Sequence, residues 1–118
     1  MTGRARQPAV YIMASRRNGT LYTGVTSDLA GRVQAHRSGT SGGFATRYAC
    51  VLLVWFELHA DMTSAIQREK QIKGGSRAKK LALIEAENGG WRDLFAELTG
   101  APAAVPVRDP WLASLRSQ

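Results

Sequence analysis

The sequence predicts a small α/β domain, a short antiparallel sheet of about three strands, hairpin first, flanked by helices. Three observations carry this. Two strand-like segments, 9–15 and 20–26, are joined by Asn18-Gly19, a dipeptide that favours hairpin turns. An apolar run from Cys50 to Leu58, interrupted only by Glu57, has the length and composition of a strand buried on both faces. Three further segments carry helical spacing and begin at residues that can cap a helix. With 118 residues, one domain is expected.

In chain order, the first strand contains Ala9-Val10-Tyr11-Ile12-Met13 and the second Leu21-Tyr22-Thr23-Gly24-Val25. Side chains alternate between the faces of a strand, so Tyr11 and Tyr22 can share one face of the hairpin. Ser27 or Asp28 can cap a helix running to about Arg37, with Leu29, Val33 and, by spacing, His36 on its inner side. Residues 38–48 read as a loop rich in glycine and hydroxyl groups. The run 50–58 is the natural centre of the sheet. Thr63 or Ser64 can cap a second helix that ends at Lys73 before Gly74-Gly75. Ser76 opens a third, with Leu81, Leu83 and Ile84 as its apolar side, and a short turn spans 91–98. Beyond Gly100, Pro102, Pro106 and Pro110 mark a tail rather than a domain, in which Trp111, Leu112 and Leu115 fit one apolar helical face. The expected organisation is an arm over 1–8, a domain over 9–99 and a tail over 100–118.

Sixteen lysines and arginines face nine acidic residues, a net charge of +7 that favours a polyanionic partner. The excess is uneven. Residues 66–80 hold Arg68, Lys70, Lys73, Arg77, Lys79 and Lys80 against Glu69 alone, whereas 81–99 hold four acids and one base. Such a run is usually a solvated face, but beside Glu69 it is expected to form a phosphate-backbone track, and Arg47 in the preceding loop, otherwise a plain connection, can add a contact to the same polyanion. Cys50 is the single cysteine, which precludes an internal disulfide, and it reads as a buried thiol. The two histidines fit no zinc spacing. No signal peptide or membrane-spanning run is visible, so a cytoplasmic protein without a membrane partner is expected.

Several polar residues sit where a core would be simpler. Arg32 and His36 share one helical face at i and i+4. Two phenols, a guanidinium and an imidazole can therefore converge where the hairpin meets this helix. Arginine matches a phosphate bidentately, and an imidazole can relay a proton near neutral pH. Ala65, Glu69 and Ile72 fall at i, i+4 and i+7 with Ile66 alongside, which puts a carboxylate in a core-facing stripe. A charge there needs a partner, either a basic side chain in a structural ion pair or a divalent metal. Asn88 alone reads as a helix C-terminal or turn residue.

Together these residues resemble the GIY-YIG endonuclease domain of the small single-domain kind, similar to the N-terminal nuclease domain of the excision-repair incision subunit. Tyr11 matches the tyrosine of the first motif, although Ala9-Val10 replaces Gly-Ile. Tyr22-Thr23-Gly24 matches Tyr-Ile-Gly, with threonine for isoleucine. Arg32 and His36 match the arginine and histidine of the next helix, Glu69 the later glutamate, and Asn88 the asparagine that precedes a tryptophan, here Trp91. The match runs from about Ala9 to Leu98.

The resemblance implies metal-dependent hydrolysis of DNA phosphodiesters by Tyr11, Tyr22, Arg32, His36, Glu69 and Asn88. Glu69 would hold one Mg²⁺ or Mn²⁺ that binds a non-bridging and the leaving oxygen. Either phenol, with His36 nearby, would take the proton of the attacking water, and Arg32 would balance charge in the transition state. Lacking an added specificity domain, such an enzyme is expected to be structure-selective or weakly sequence-selective, in DNA repair or recombination. Two alternatives belong to other classes: a non-catalytic basic nucleic-acid-binding module, and a docking subunit that binds a protein partner through its tail.

Overall fold

Strand β1 (Ala9–Ala14) is buried along its whole length, because it pairs on both sides. The computed structural model describes residues 7–39, 43 and 47–100. In it β1 lies antiparallel to β2 (Leu21–Thr26) and to β3 (Leu52–Leu58), in the order β2-β1-β3. The 50–58 run is therefore an edge strand and not the centre that its apolar sequence suggested. Its first four residues, Leu52 to Trp55, are buried all the same, since helices cover both faces of the sheet, while Leu58 at its far end is exposed.

Alternation along β1 divides the core. Val10, Ile12 and Ala14 point to one face, where they meet Leu52, Val54 and Trp55 of β3 together with Ala65, Ile72 and Ile84. Those last three belong to α2 (Met62–Lys73) and α3 (Arg77–Glu87). Ala9, Tyr11 and Met13 point to the other face, against Leu29 and Val33 of α1 (Leu29–Ser38) and Phe95 of α4 (Leu94–Thr99). Among the described residues no helix is long and apolar enough to cross a membrane.

Side-chain caps start the helices. Asp28 accepts from the Gly31 amide and Ser76 from the Lys79 amide, as expected. At α2 the cap is Asp61, which accepts from the Ser64 amide at 2.8 Å, and not Thr63 or Ser64. The expected turn at 91–98 is α4, capped by Asp93. The hairpin also departs from a two-residue turn. Ser15 donates its amide to the Thr20 carbonyl at 3.0 Å, leaving residues 16–19 as a four-residue loop. Asn18 alone takes the left-handed conformation there, with φ 57°.

A bulge marks β3. Ile12 pairs with Trp55 and Met13 with Leu53, so Val54 is an extra residue. This lets Val54 and Trp55 both pack on the α2–α3 face. Gly43 and Arg47 are helical within the segment expected to be a loop. The expected N-terminal arm falls mainly on residues 1–6 and the tail, with Trp111, Leu112 and Leu115, on 101–118. Both lie outside the described residues.

Candidate active site

The register of the hairpin builds the site. Tyr11 stands opposite Gly24, and Met13 opposite Tyr22. Both tyrosines therefore lie on the face that α1 covers. A Cβ on residue 24 would stand 2.5 Å from the Tyr11 hydroxyl, so glycine is required for the Tyr11 ring to lie across β2. One turn apart on α1, Arg32 and His36 complete the cluster. The ring centroids of Tyr11 and His36 are 5.8 Å apart, those of Tyr22 and His36 5.1 Å, and those of the two tyrosines 6.2 Å.

The electrostatics differ between members. Tyr11 is 1% exposed, and its hydroxyl lies 2.9 Å from His36 Nε2. Burial, together with the neighbouring Tyr22, pushes its pKa up to about 12, against a smaller opposing pull from Arg32. His36 is buried as well, and that burial, with the Arg32 charge, holds its pKa below the ordinary value. The imidazole is thus neutral at physiological pH. Contact with the Tyr11 and Tyr22 hydroxyls raises the pKa of Arg32. Arginine only donates hydrogen bonds. The Tyr11 oxygen therefore accepts from Arg32 on one side and meets His36 Nε2 on the other. Tyr22 is half-buried and opens toward solvent.

Glu69 does not share a hydrogen bond with this quartet. It lies on α2, whose buried residues Ala65 and Ile72 pack on the opposite face of the sheet, although α2 also packs along the edge strand β2. Its side chain is 12% exposed, so the carboxylate does sit in the inner stripe, and it pairs with Lys73 Nζ at 2.7 Å. Ile66, expected in that stripe, is 37% exposed. Of the two partners left open for Glu69, the basic side chain is the one seen. A lone, mostly buried carboxylate also fits a hard cation that keeps most of its waters. No group of three or more His, Cys, Asp or Glu side chains is gathered among the described residues.

Asn88 stands apart too. It is 1% exposed and forms the C-cap of α3. Its amide donates to the Val54 carbonyl at 3.1 Å and the Arg92 carbonyl at 2.9 Å, and its oxygen accepts from the Arg92 amide at 3.0 Å. These bonds tie α3 and the following turn to the bulge of β3.

The basic run does not present six equivalent charges. Arg68 bonds Glu57 at 3.1 Å and Gln71 at 2.6 Å. Lys73 holds Glu69. Arg77 donates to the carbonyls of Asn18 at 2.8 Å and Gly19 at 2.7 Å, which fastens the start of α3 to the hairpin loop. Arg68, Lys70, Lys79 and Lys80 line one groove of about 580 Å³ between α2 and α3, over a floor that includes Ile72 and Leu83. Arg47 is exposed, with its guanidinium over the Tyr48 ring. The clamp by Arg77 has no signature in the sequence, because its partners lie 58 and 59 positions away. Gly24 did carry one, as a glycine two residues after a strand tyrosine.

Residues 7–82 match the family described as the GIY-YIG catalytic domain. The chain is similar to a UPF0213 protein of Desulfotalea psychrophila, 37% identical over 87 residues, covering 73% of this chain and 78% of that protein. It is likewise similar to a UPF0213 protein of Staphylococcus haemolyticus, 36% identical over 76 residues, with 64% of this chain and 92% of the relative covered. A solution NMR structure of a UPF0213 protein from Bacillus halodurans is 26% identical, with a TM-score of 0.45, covering 72% of this chain and 89% of that one.

Proposed function

The chain belongs to the GIY-YIG catalytic domain family, and from that membership we propose that it is a metal-dependent endonuclease that hydrolyses DNA phosphodiester bonds. The observation that carries the proposal is the quartet: two phenols, an imidazole held neutral and an arginine, gathered on one face by the hairpin register and α1. A core alone has no use for a guanidinium laid against two hydroxyls.

The difference in burial supports different parts for the two tyrosines. Tyr11 is sealed, keeps its proton far above neutral pH and orients His36. Tyr22 meets solvent, so it is the phenol that reaches the attacking water. In the proposed step the water oxygen bonds to phosphorus and the bond to the leaving oxygen breaks. The water's proton passes to the Tyr22 oxygen while Tyr22 releases its own to the unprotonated ring nitrogen of neutral His36. Arg32 stabilises the charge that builds on the phosphoryl oxygens. Glu69 is the residue that would hold one Mg²⁺ or Mn²⁺, which when bound supplies charge neutralisation at the phosphate. Asn88 serves by fixing the bulge of β3 and touches no substrate.

DNA is bound through its backbone by Arg47 and by cations of α2 and α3, chiefly Lys70, Lys79 and Lys80. Selectivity follows DNA structure more than sequence, in repair or recombination in the cytoplasm. The test is a panel of labelled DNA structures incubated with Mg²⁺, Mn²⁺ or EDTA. Cleavage that needs the metal and disappears in Glu69→Gln supports the proposal. A Glu69→Gln variant that cuts at the wild-type rate overturns the metal assignment.

A further inference from the structure

The ion pair between Glu69 and Lys73 combines two very different environments. The Glu69 side chain is 12% exposed and that of Lys73 52%. An ordinary i,i+4 pair on a helix surface has both ends in water and contributes only a few tenths of a kcal/mol. Here the lysine reaches inward, over a carboxylate set one turn from the fully buried Ala65. A mostly buried carboxylate without a counter-charge is costly, and Lys73 Nζ at 2.7 Å supplies that charge. Its long stem and exposed base allow it to leave without disturbing the core.

We propose that Lys73 is a resident counter-ion of the metal-binding carboxylate: a divalent ion displaces its ammonium from Glu69, and the released lysine then contacts a phosphate of the bound DNA. This rests on the reading of Glu69 as the metal ligand. The logic is exchange of one cation for another on a single carboxylate. With the ion absent, Lys73 neutralises Glu69 and has no charge to offer to DNA. With the ion present, the same ammonium lies next to a doubly charged centre, is repelled by it, and turns to the polyanion. Metal binding and DNA binding are thereby linked through one side chain, and the Lys73 phosphate contact is added to those of the other cations only when the metal site is filled.

Two opposite effects follow from one substitution. Lys73→Met keeps the stem and removes the charge. It should tighten Mn²⁺ binding to the DNA-free protein about three- to tenfold, measured from the free Mn²⁺ signal in electron paramagnetic resonance. It should also weaken binding of a hydrolysis-resistant phosphorothioate duplex at least threefold in Mn²⁺, and leave it nearly unchanged in EDTA, measured by fluorescence anisotropy. Lys73→Arg should resemble the wild type in DNA binding. Thermal unfolding of each variant reports whether it is folded.

If Lys73→Met leaves Mn²⁺ affinity unchanged or weaker while Glu69→Gln abolishes it, the pair is only a helix brace and the proposal fails. It fails equally if the loss of DNA affinity is the same in EDTA as in Mn²⁺, because Lys73 is then an ordinary phosphate contact. Undiminished Mn²⁺ binding by Glu69→Gln is a separate result, which removes the metal reading itself.

Discussion

Tyr11 and Tyr22 occupy equivalent places in the hairpin but different environments, so their phenylalanine variants should differ. Tyr22→Phe keeps the half-buried ring and removes only the hydroxyl. Its single-turnover cleavage rate should fall about 100-fold or more, the usual range for loss of a general base, at unchanged stability. Tyr11→Phe removes the partner of His36 Nε2. It should lose about 1 kcal/mol of stability and a smaller part of the activity. Equal, wild-type rates in both variants would return the rings to packing. The same site sets a pH dependence through His36 and Tyr11. His36 has a folded pKa below its ordinary value of 6.5, so the unfolded chain takes up its proton first, and stability falls as pH drops below that value. Tyr11 is raised from 10.0 to about 12, so the unfolded chain releases its proton first, and stability falls as pH rises above 10. Urea midpoints across this range should show both flanks, and His36→Gln should flatten the acid one.

At the scale of elements, the sheet is held in shape by two contacts that join distant segments. The Asn88 side chain closes the bulge at Val54. Asn88→Ala leaves the Val54 and Arg92 carbonyls and the Arg92 amide without their partner, and should cost about 3 kcal/mol, read as a shift in the denaturant midpoint at constant slope. Gly24 performs the matching service on β2. Gly24→Ala drives a methyl group into the Tyr11 hydroxyl. A loss of about 1–3 kcal/mol is expected for overpacking a buried site, together with reduced cleavage because the Tyr11–His36 contact is displaced. A Gly24→Ala variant of wild-type stability and rate would show that the Tyr11 ring tolerates another position.

Over the whole molecule, the charge of +7 governs how DNA is met. Binding should weaken steeply with salt and depend little on duplex sequence. The slope should nevertheless reflect fewer contacts than the six cations of 66–80, because Arg68, Lys73 and Arg77 have partners within the protein in the absence of metal. Each phosphate contact contributes about 0.9 to the slope of log affinity against log salt for duplex DNA. Replacing Lys79 and Lys80 by glutamate should therefore flatten it by about two units in EDTA. A slope that ignores this double substitution would move the DNA off the α2–α3 groove.

The local content of the sequence determined the elements. Alternation and the Asn18-Gly19 signal determined the hairpin, Asp28 and Ser76 the starts of α1 and α3, and the i,i+4 spacing the shared face of Arg32 and His36, since each depends on neighbours within a few positions. The inward placement of Glu69 was legible for the same reason. Only the tertiary structure decided that β1 and not the more apolar β3 is central, because pairing order is a long-range property and helices can bury an edge strand. Contacts across 34 and 58 positions decided that Asn88 clips a bulge and Arg77 clamps the hairpin loop. Burial, which no spacing records, separated the sealed Tyr11 from the open Tyr22. The distance between side chains in the folded chain, finally, gave Glu69 to Lys73.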